Sequence, residues 1–311
     1  MRKFVIIPVL MLLWSCDSKT EEQSTHENDT ESKVETSSKV IAGSDTELDL
    51  VHKLIEDSGN EILKSYAIVG GGSKLGIELF LENKTKFANS SVRMTTEEKQ
   101  LLKDQGRYGL IEIVFALDAV AVITNAEVGV DSLSIFELKK VFKGEISNWQ
   151  ELGGENIPIK VYRRNDDSGT NDFFWGKMLQ SSYADNATIV ETNNDMLTMI
   201  ETTPGSVGYL GVGTIKDKLG KPSDKVWAVN IYIEGDEAKS PYSLHDVVTD
   251  NYYLARPLYQ YFLIEDKDDF KELVNFELSP EGQAIIKEQG FFPITEEYST
   301  LNQFYLEKLA E

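Results

Sequence analysis

The sequence predicts an α/β protein of two lobes, and three observations carry that prediction. First, three apolar runs with strand spacing each lead into a turn bearing Gly and Ser or Thr, followed by a helical pattern. These are Val40-Ile41-Ala42 before Gly43-Ser44-Asp45-Thr46, Ala67-Ile68-Val69 before Gly70-Gly71-Gly72-Ser73, and the alternating run Ile157-Pro158-Ile159-Lys160-Val161-Tyr162 before Arg164 and Ser168-Gly169-Thr170. Second, the chain has 311 residues, 41% of them hydrophobic, a length that suits two lobes. Third, the apolar run 111–124 is broken by Asp118. It reads as two strands, with the chain crossing between lobes near Asp118.

The N-terminus carries a separate message. Met1-Arg2-Lys3 and the apolar run 4–14 read as the basic and hydrophobic parts of a signal peptide, too short to span a bilayer. A small residue, Ser15, stands directly before Cys16, the single cysteine of the chain. That arrangement resembles the lipobox at which bacterial lipoproteins are cleaved and lipidated; Trp14 is bulkier than the residue usual there. Residues 1–15 are thus expected to be a signal peptide. Cys16 is expected to carry lipid, on the extracytoplasmic side of a bacterial membrane. Residues 16–39, polar and low in complexity, are expected to form a disordered acidic linker.

Composition narrows the function. A formal net charge of −21 argues against nucleic-acid binding, which needs a basic face. It leaves a small anion open, since local dipoles and a few cations decide that. One Cys excludes an intramolecular disulfide, and three scattered His supply no metal cluster, so neither metal nor cofactor is expected.

Along the body, Leu48, Val51, Leu54 and Ile55 have helical spacing, with Ser44, Asp45 or Thr46 as candidate caps and His52 on the helix. Ile77, Phe80 and Leu81 mark the helix after the glycine-rich turn. That turn is neither a Walker A loop nor a dinucleotide fingerprint. Thr95-Thr96-Glu97-Glu98 reads as a helix start, and Ser134 with Glu137 as a capping box whose helix ends at Lys143-Gly144. The run 206–210 reads as a strand, and 252–262 as the segment returning to the first lobe, with His245 in the loop before it. Residues 270–290 read as a helical pair, with Pro280 just after the cap residue Ser279.

The stretch Arg164-Asn165-Asp166-Asp167-Ser168-Gly169-Thr170 is central. A helix N-terminus presents unpaired N–H groups and partial positive charge. Gly169 allows close backbone approach, Ser168 and Thr170 add hydroxyls, and Arg164 offers a planar fork for an oxyanion. The same letters fit an ordinary N-cap beside a surface arginine. Asp167-Ser168-Gly169-Thr170 also fits the signature of aspartic proteases, which would make Asp167 a catalytic acid. Such enzymes need two carboxylates sharing a proton, and no second copy of the motif occurs.

The chain resembles the phosphate-binding proteins of bacterial ABC phosphate importers. The marks run in order: Gly43-Ser44-Asp45-Thr46, Gly70-Gly71-Gly72-Ser73, Ala88-Asn89 with Ser91, residues 142–149, Arg164 with Ser168-Gly169-Thr170, Gly205-Ser206-Val207-Gly208-Tyr209, Arg256-Pro257-Leu258-Tyr259 and Ser279-Pro280-Glu281-Gly282-Gln283. The resemblance implies a two-lobed periplasmic-binding-protein fold of type II, two mixed sheets flanked by helices, with a ligand cleft between lobes. Residues 40–117 and 246–311 would form lobe 1, and 118–245 lobe 2. It implies phosphate held by Ser44, Asp45, Thr46, Ser73, Arg164, Ser168, Gly169 and Thr170, delivery to an ABC permease, and no covalent chemistry. Three positions depart from the family pattern. Lys74 follows the serine of the second loop, Lys86 replaces an acidic residue ahead of Ala88, and Arg93 is displaced by one. A site for another tetrahedral oxyanion, and a tethered interaction protein without transport, are the other readings.

Overall fold

The computed structural model describes residues 39–215 and 224–310. The expected signal peptide, Cys16 and all of the linker but Lys39 lie outside the described residues. Among those described, no helix is long and apolar enough to cross a membrane.

The first unit of the fold is parallel: β1 (Val40–Gly43) lies between β2 (Ala67–Val69) and β3 (Phe87–Ser90). Their links carry α1 (Leu48–Asp57) and α2 (Ser73–Leu81). Crossover connections of this kind are what parallel pairing requires. None of Ser44, Asp45 and Thr46 caps α1. Its N-cap is Glu47, which makes no side-chain cap bond, and the side chains of Asp45 and Thr46 bond to Gly71 N and Thr170 Oγ1 instead. α3 (Thr96–Asp104) opens on a capping box of Thr95 and Glu98.

β4 (Leu110–Asn125) corrects the two-strand expectation: it is one strand of 16 residues, buried at every position after Leu110. Asp118 does not break it, because Arg256 lies directly opposite on the partner strand and neutralises it. What changes near Asp118 is the neighbour. Up to Ala119 the partner is the returning strand, and from Val120 onward it is a different one.

The rest of the chain builds on the second half of β4. β5 (Ser132–Ser134) leads into α4 (Ile135–Phe142), which has the expected Ser134–Glu137 capping box. β6 (Lys160–Arg164) is followed by α5 (Gly169–Phe174) and a π-turn over Trp175–Leu179. β7 (Thr188–Val190) and α6 (Asn193–Thr202) come next, then β8 (Ser206–Gly211), β9 (Val226–Ala228) and β10 (Asn230–Tyr232). His245 lies in the short helix α7 (Leu244–Val248), not in a loop. β11 (Ala255–Leu263) is the return strand. α8 (Lys267–Glu277) and α9 (Pro280–Glu288) are the anticipated pair, with Ser279 capping α9. α10 (Glu296–Ala310) is a helix that the sequence pattern does not announce.

The main strand path runs β2-β1-β3-β11-β4-β8-β6-β7, with β9 also on β4 and a separate β5–β10 pair. β11 is antiparallel to both β3 and β4, so the sheet is mixed and β4 is common to its two halves. Pro257 is tolerated inside β11 because β3 pairs only with residues 259–262, and Leu117 opposite it bonds Phe292 instead. Each half has its own core. One gathers Leu54, Phe87, Phe115, Phe262 and Phe270; the other gathers Val122, Phe142, Trp149, Phe174 and Tyr209. In the first, Phe270 lies 4.6 Å from Phe87 and 5.5 Å from Phe262 between ring centres. Such aromatic pairs add about 0.5–1.5 kcal/mol each beyond the area they bury.

Candidate functional site

All eight residues singled out from the sequence come to one place, at the carboxyl ends of parallel strands. Ser44, Asp45 and Thr46 follow β1, Ser73 follows β2, Arg164 ends β6, and Ser168, Gly169 and Thr170 begin α5. Open α/β sheets place ligand sites at such ends, where helix N-termini face outward.

The two halves of the sheet meet there. Lys74 N donates to the Asp167 carbonyl at 3.3 Å. A Cβ on Gly72 (φ 107°) would stand 2.3 Å from that carbonyl oxygen, so only glycine allows this approach. A Cβ on Gly169 would stand 2.1 Å from Ser73 Oγ and 2.7 Å from Ser91 Oγ. Ser73 Oγ accepts from Ser91 N at 3.0 Å and lies 3.1 Å from Ser91 Oγ. Ser168 Oγ caps α5 through Asn171 N.

Arg164 is buried, so the surface-arginine alternative fails. Nη2 donates to Asp45 Oδ2 and to the Glu191 carbonyl, each at 2.6 Å, and Nη1 donates to Asn193 Oδ1. Nε is buried without a partner. Its backbone N–H donates to the Tyr209 hydroxyl, which donates to Asn171 Oδ1 at 2.8 Å. Burial pushes the Tyr209 phenol up to about 12, so it stays a donor. Asp45 Oδ1 accepts from Gly71 N at 2.8 Å.

Four residues here were not assigned to the site from the sequence: Ser91, Asn193, Asp118 and Arg256. Arg256 and Asp118 are each at most 2% exposed. Arg256 Nε and Nη2 donate to Asp118 Oδ2 at 3.0 and 2.8 Å. Nη2 also reaches Thr46 Oγ1 at 3.2 Å and Thr170 Oγ1 at 3.0 Å. Burial raises the Asp118 carboxyl and the Arg256 guanidinium pulls it back. One signal was visible: an aspartate inside an apolar run needs a cation, and Arg256 stands in the return segment.

The side chains of the three departures from the family pattern lie outside this cluster. Lys74 has an exposed side chain, and Lys86 pairs with Asp266 at 2.5 Å. Arg93 pairs with Glu112, which also takes Lys99. Asp167, the acid of the hydrolase alternative, is exposed, and that alternative is not favoured. Among the described residues, no group of three or more His, Cys, Asp or Glu is placed to hold a metal.

The arrangement offers hydroxyls, helix N-termini and the guanidiniums of Arg164 and Arg256 around a buried point, a set of donors suited to an oxyanion. Comparison with known proteins agrees with that chemistry. A family model described as the PBP superfamily domain matches residues 22–281. Phosphate-binding protein PstS of Bacillus subtilis is 28% identical over 293 residues, covering 92% of this chain and 91% of its own. PstS of Borreliella burgdorferi is 28% identical over 235 residues, covering 72% of this chain and 77% of its own. Among solved structures, a candidate phosphate ABC transporter substrate-binding protein from Clostridium perfringens, with phosphate bound, superposes with a TM-score of 0.71. It is 26% identical and covers 82% of this chain and 99% of its own.

Proposed function

The chain belongs to the PBP superfamily, and from that premise we propose that it captures inorganic phosphate and hands it to an ABC permease. One observation carries the reading. Arg164, Ser73, Ser168, Gly169 and Thr170 converge with the 44–46 loop at one buried point where two strand systems meet. The Bacillus subtilis and Borreliella burgdorferi relatives are both named phosphate-binding proteins.

On this reading, residues 40–117 with 246–311 form one lobe and 118–245 the other, hinged where β4 and β11 pass between them. The lobes open to admit phosphate and close as the 70–73 and 167–170 turns meet. Ser44, Asp45, Thr46, Ser73, Arg164, Ser168, Gly169 and Thr170 hold it. Signal cleavage before Cys16 and lipidation there keep the protein on the extracytoplasmic face of the membrane. Support for the anchor is the sequence of residues 1–16 alone.

Calorimetric titration of the protein from Lys39 onward with phosphate, sulfate and arsenate tests the reading. Tight phosphate binding with weak sulfate binding is expected. Equal sulfate and phosphate affinities would make this a general oxyanion site, and silence with all three would end the reading.

A further inference from the structure

Arg256 makes its contacts through a chain of hydroxyls whose hydrogen positions can be worked out. Thr46 Oγ1 receives N–H groups from Arg256 Nη2 at 3.2 Å and Asn193 Nδ2 at 3.3 Å. The Asn193 amide is oriented by its own oxygen, which faces the Arg164 guanidinium. A hydroxyl oxygen has two lone pairs and one proton. With both pairs of Thr46 directed at donors, its proton must be donated, and Thr170 Oγ1 stands 3.1 Å away. Thr170 Oγ1 then accepts from Thr46 and from Arg256 Nη2 at 3.0 Å. Its own proton has no protein acceptor among the described residues. It is left to point at whatever the Gly169–Thr170 turn binds.

The guanidinium is held for this task. Asp118 Oδ2 takes Nε and one Nη2 hydrogen, leaving the second Nη2 hydrogen shared between the two threonines. The Phe173 ring lies 5.5 Å from its Cζ. Thr46 lies after β1 and Thr170 on α5, so one buried nitrogen joins loops from both halves of the sheet.

We propose that Arg256, pinned by Asp118, is a positioning residue: it forces the Thr46 hydroxyl to donate to Thr170, which leaves the Thr170 hydroxyl as a hydrogen-bond donor toward the oxyanion, and it ties their loops together in the closed form. The inference rests on the phosphate reading above. The ligand-facing end of this wire is donor-only, so it favours a ligand oxygen without a proton.

A thermodynamic cycle by phosphate calorimetry separates this from a merely structural role. Removing Arg256 alone strands a buried carboxylate, so the paired variant Asp118→Asn/Arg256→Gln is used, with thermal unfolding without ligand reporting on folding. In the unaltered background it is expected to weaken phosphate binding about 10- to 100-fold, the scale of one or two charge-assisted hydrogen bonds. In a Thr46→Val/Thr170→Val background the same pair of changes should cost less than about threefold, because no hydroxyl remains to orient. An equal loss in both backgrounds overturns the proposal, as does no loss in the first. If the paired variant does not fold, Arg256→Lys replaces it in the same cycle with the same two outcomes. An ammonium keeps the charge beside Asp118 but lacks the planar fork that serves three acceptors. Failure of the unaltered protein to bind phosphate would sink the underlying reading, whereas binding with an additive cycle sinks only this one.

Discussion

Asp45 and Arg164 meet through Oδ2 and Nη2 at 2.6 Å, although one follows β1 and the other ends β6. The pair joins the two halves of the sheet at the candidate site. Asp45 spends one lone pair of Oδ2 on Arg164 and one of Oδ1 on Gly71 N, so each oxygen keeps a second. The arginine is thus already neutralised, and on the phosphate reading proposed above dipoles and hydroxyls would supply most of the binding.

Arg164→Ala is expected to weaken phosphate binding by about one to two orders of magnitude. Hydrogen bonds from a charged donor contribute about 1.5–3 kcal/mol, and the variant also leaves Asp45 without its cation. Unchanged affinity in a calorimetric titration would show that the guanidinium serves only the contact with Asp45.

Asp45→Asn tests selectivity. Near neutral pH phosphate keeps a proton and sulfate has none. A carboxylate lone pair accepts that proton and repels sulfate, and unmatched buried polar groups discriminate strongly. The variant is expected to bind phosphate more weakly and to let sulfate compete measurably. Sulfate exclusion that survives the change would assign discrimination to another group.

Much of this site was legible because its chemistry is local in sequence. The turns at 43–46, 70–73 and 164–170 announce themselves by Gly and hydroxyl residues after apolar strands, and all three converge. Asn193 was missed because its neighbour Thr192 makes it look like an ordinary helix start, with the capping box to Asp195. Arg256 was noticed only as part of a motif, since its partner is 138 residues away. β4 was divided in two because an aspartate in an apolar run looks like a break until its cross-strand cation is known. α10 was overlooked because the buried Asn302, whose amide serves both Val114 N and Val114 O, interrupts its apolar stripe of Tyr298, Tyr305, Leu306 and Leu309.

Gly169→Ala should act on closure. Its Cβ would stand 2.1 Å from Ser73 Oγ and 2.6 Å from Ser73 Cβ, so the turns at 70–73 and 167–170 would be forced apart. The expectation is at least about a tenfold loss of phosphate affinity, with the ligand-free melting temperature little changed because the clash is relieved by opening. A variant that binds normally would show that the ligand-bound form does not bring Gly169 against Ser73.

Cys16→Ala addresses the anchor. The variant is expected in the soluble extracytoplasmic fraction, or unprocessed, without labelled fatty acid. Fatty acid still attached would place the lipid elsewhere.

Glu277 gives a pH dependence with a definite sign. It is the last residue of α8, fully buried, and its Oε1 accepts from Gln260 Nε2 at 3.0 Å, while Oε2 has no partner. Burial raises its pKa to about 8, from an ordinary value of 4.5. Below the ordinary value it is neutral in both folded and unfolded chains and has no effect. Between the two values the folded chain holds a proton that the unfolded chain has released, so stability falls as pH rises. Above about 8 both are ionised and the full penalty of a buried charge remains. A tenfold difference in proton affinity between the folded and unfolded chains is worth about 1.4 kcal/mol, so the loss across this window amounts to a few kcal/mol. Glu277→Gln keeps an oxygen for the Gln260 amide and removes the ionisation. Its stability advantage over the unaltered protein, measured by urea unfolding, should be smallest near pH 5 and grow steadily to pH 8. A difference that stays flat across that range would mean that Glu277 carries its charge in the folded protein throughout.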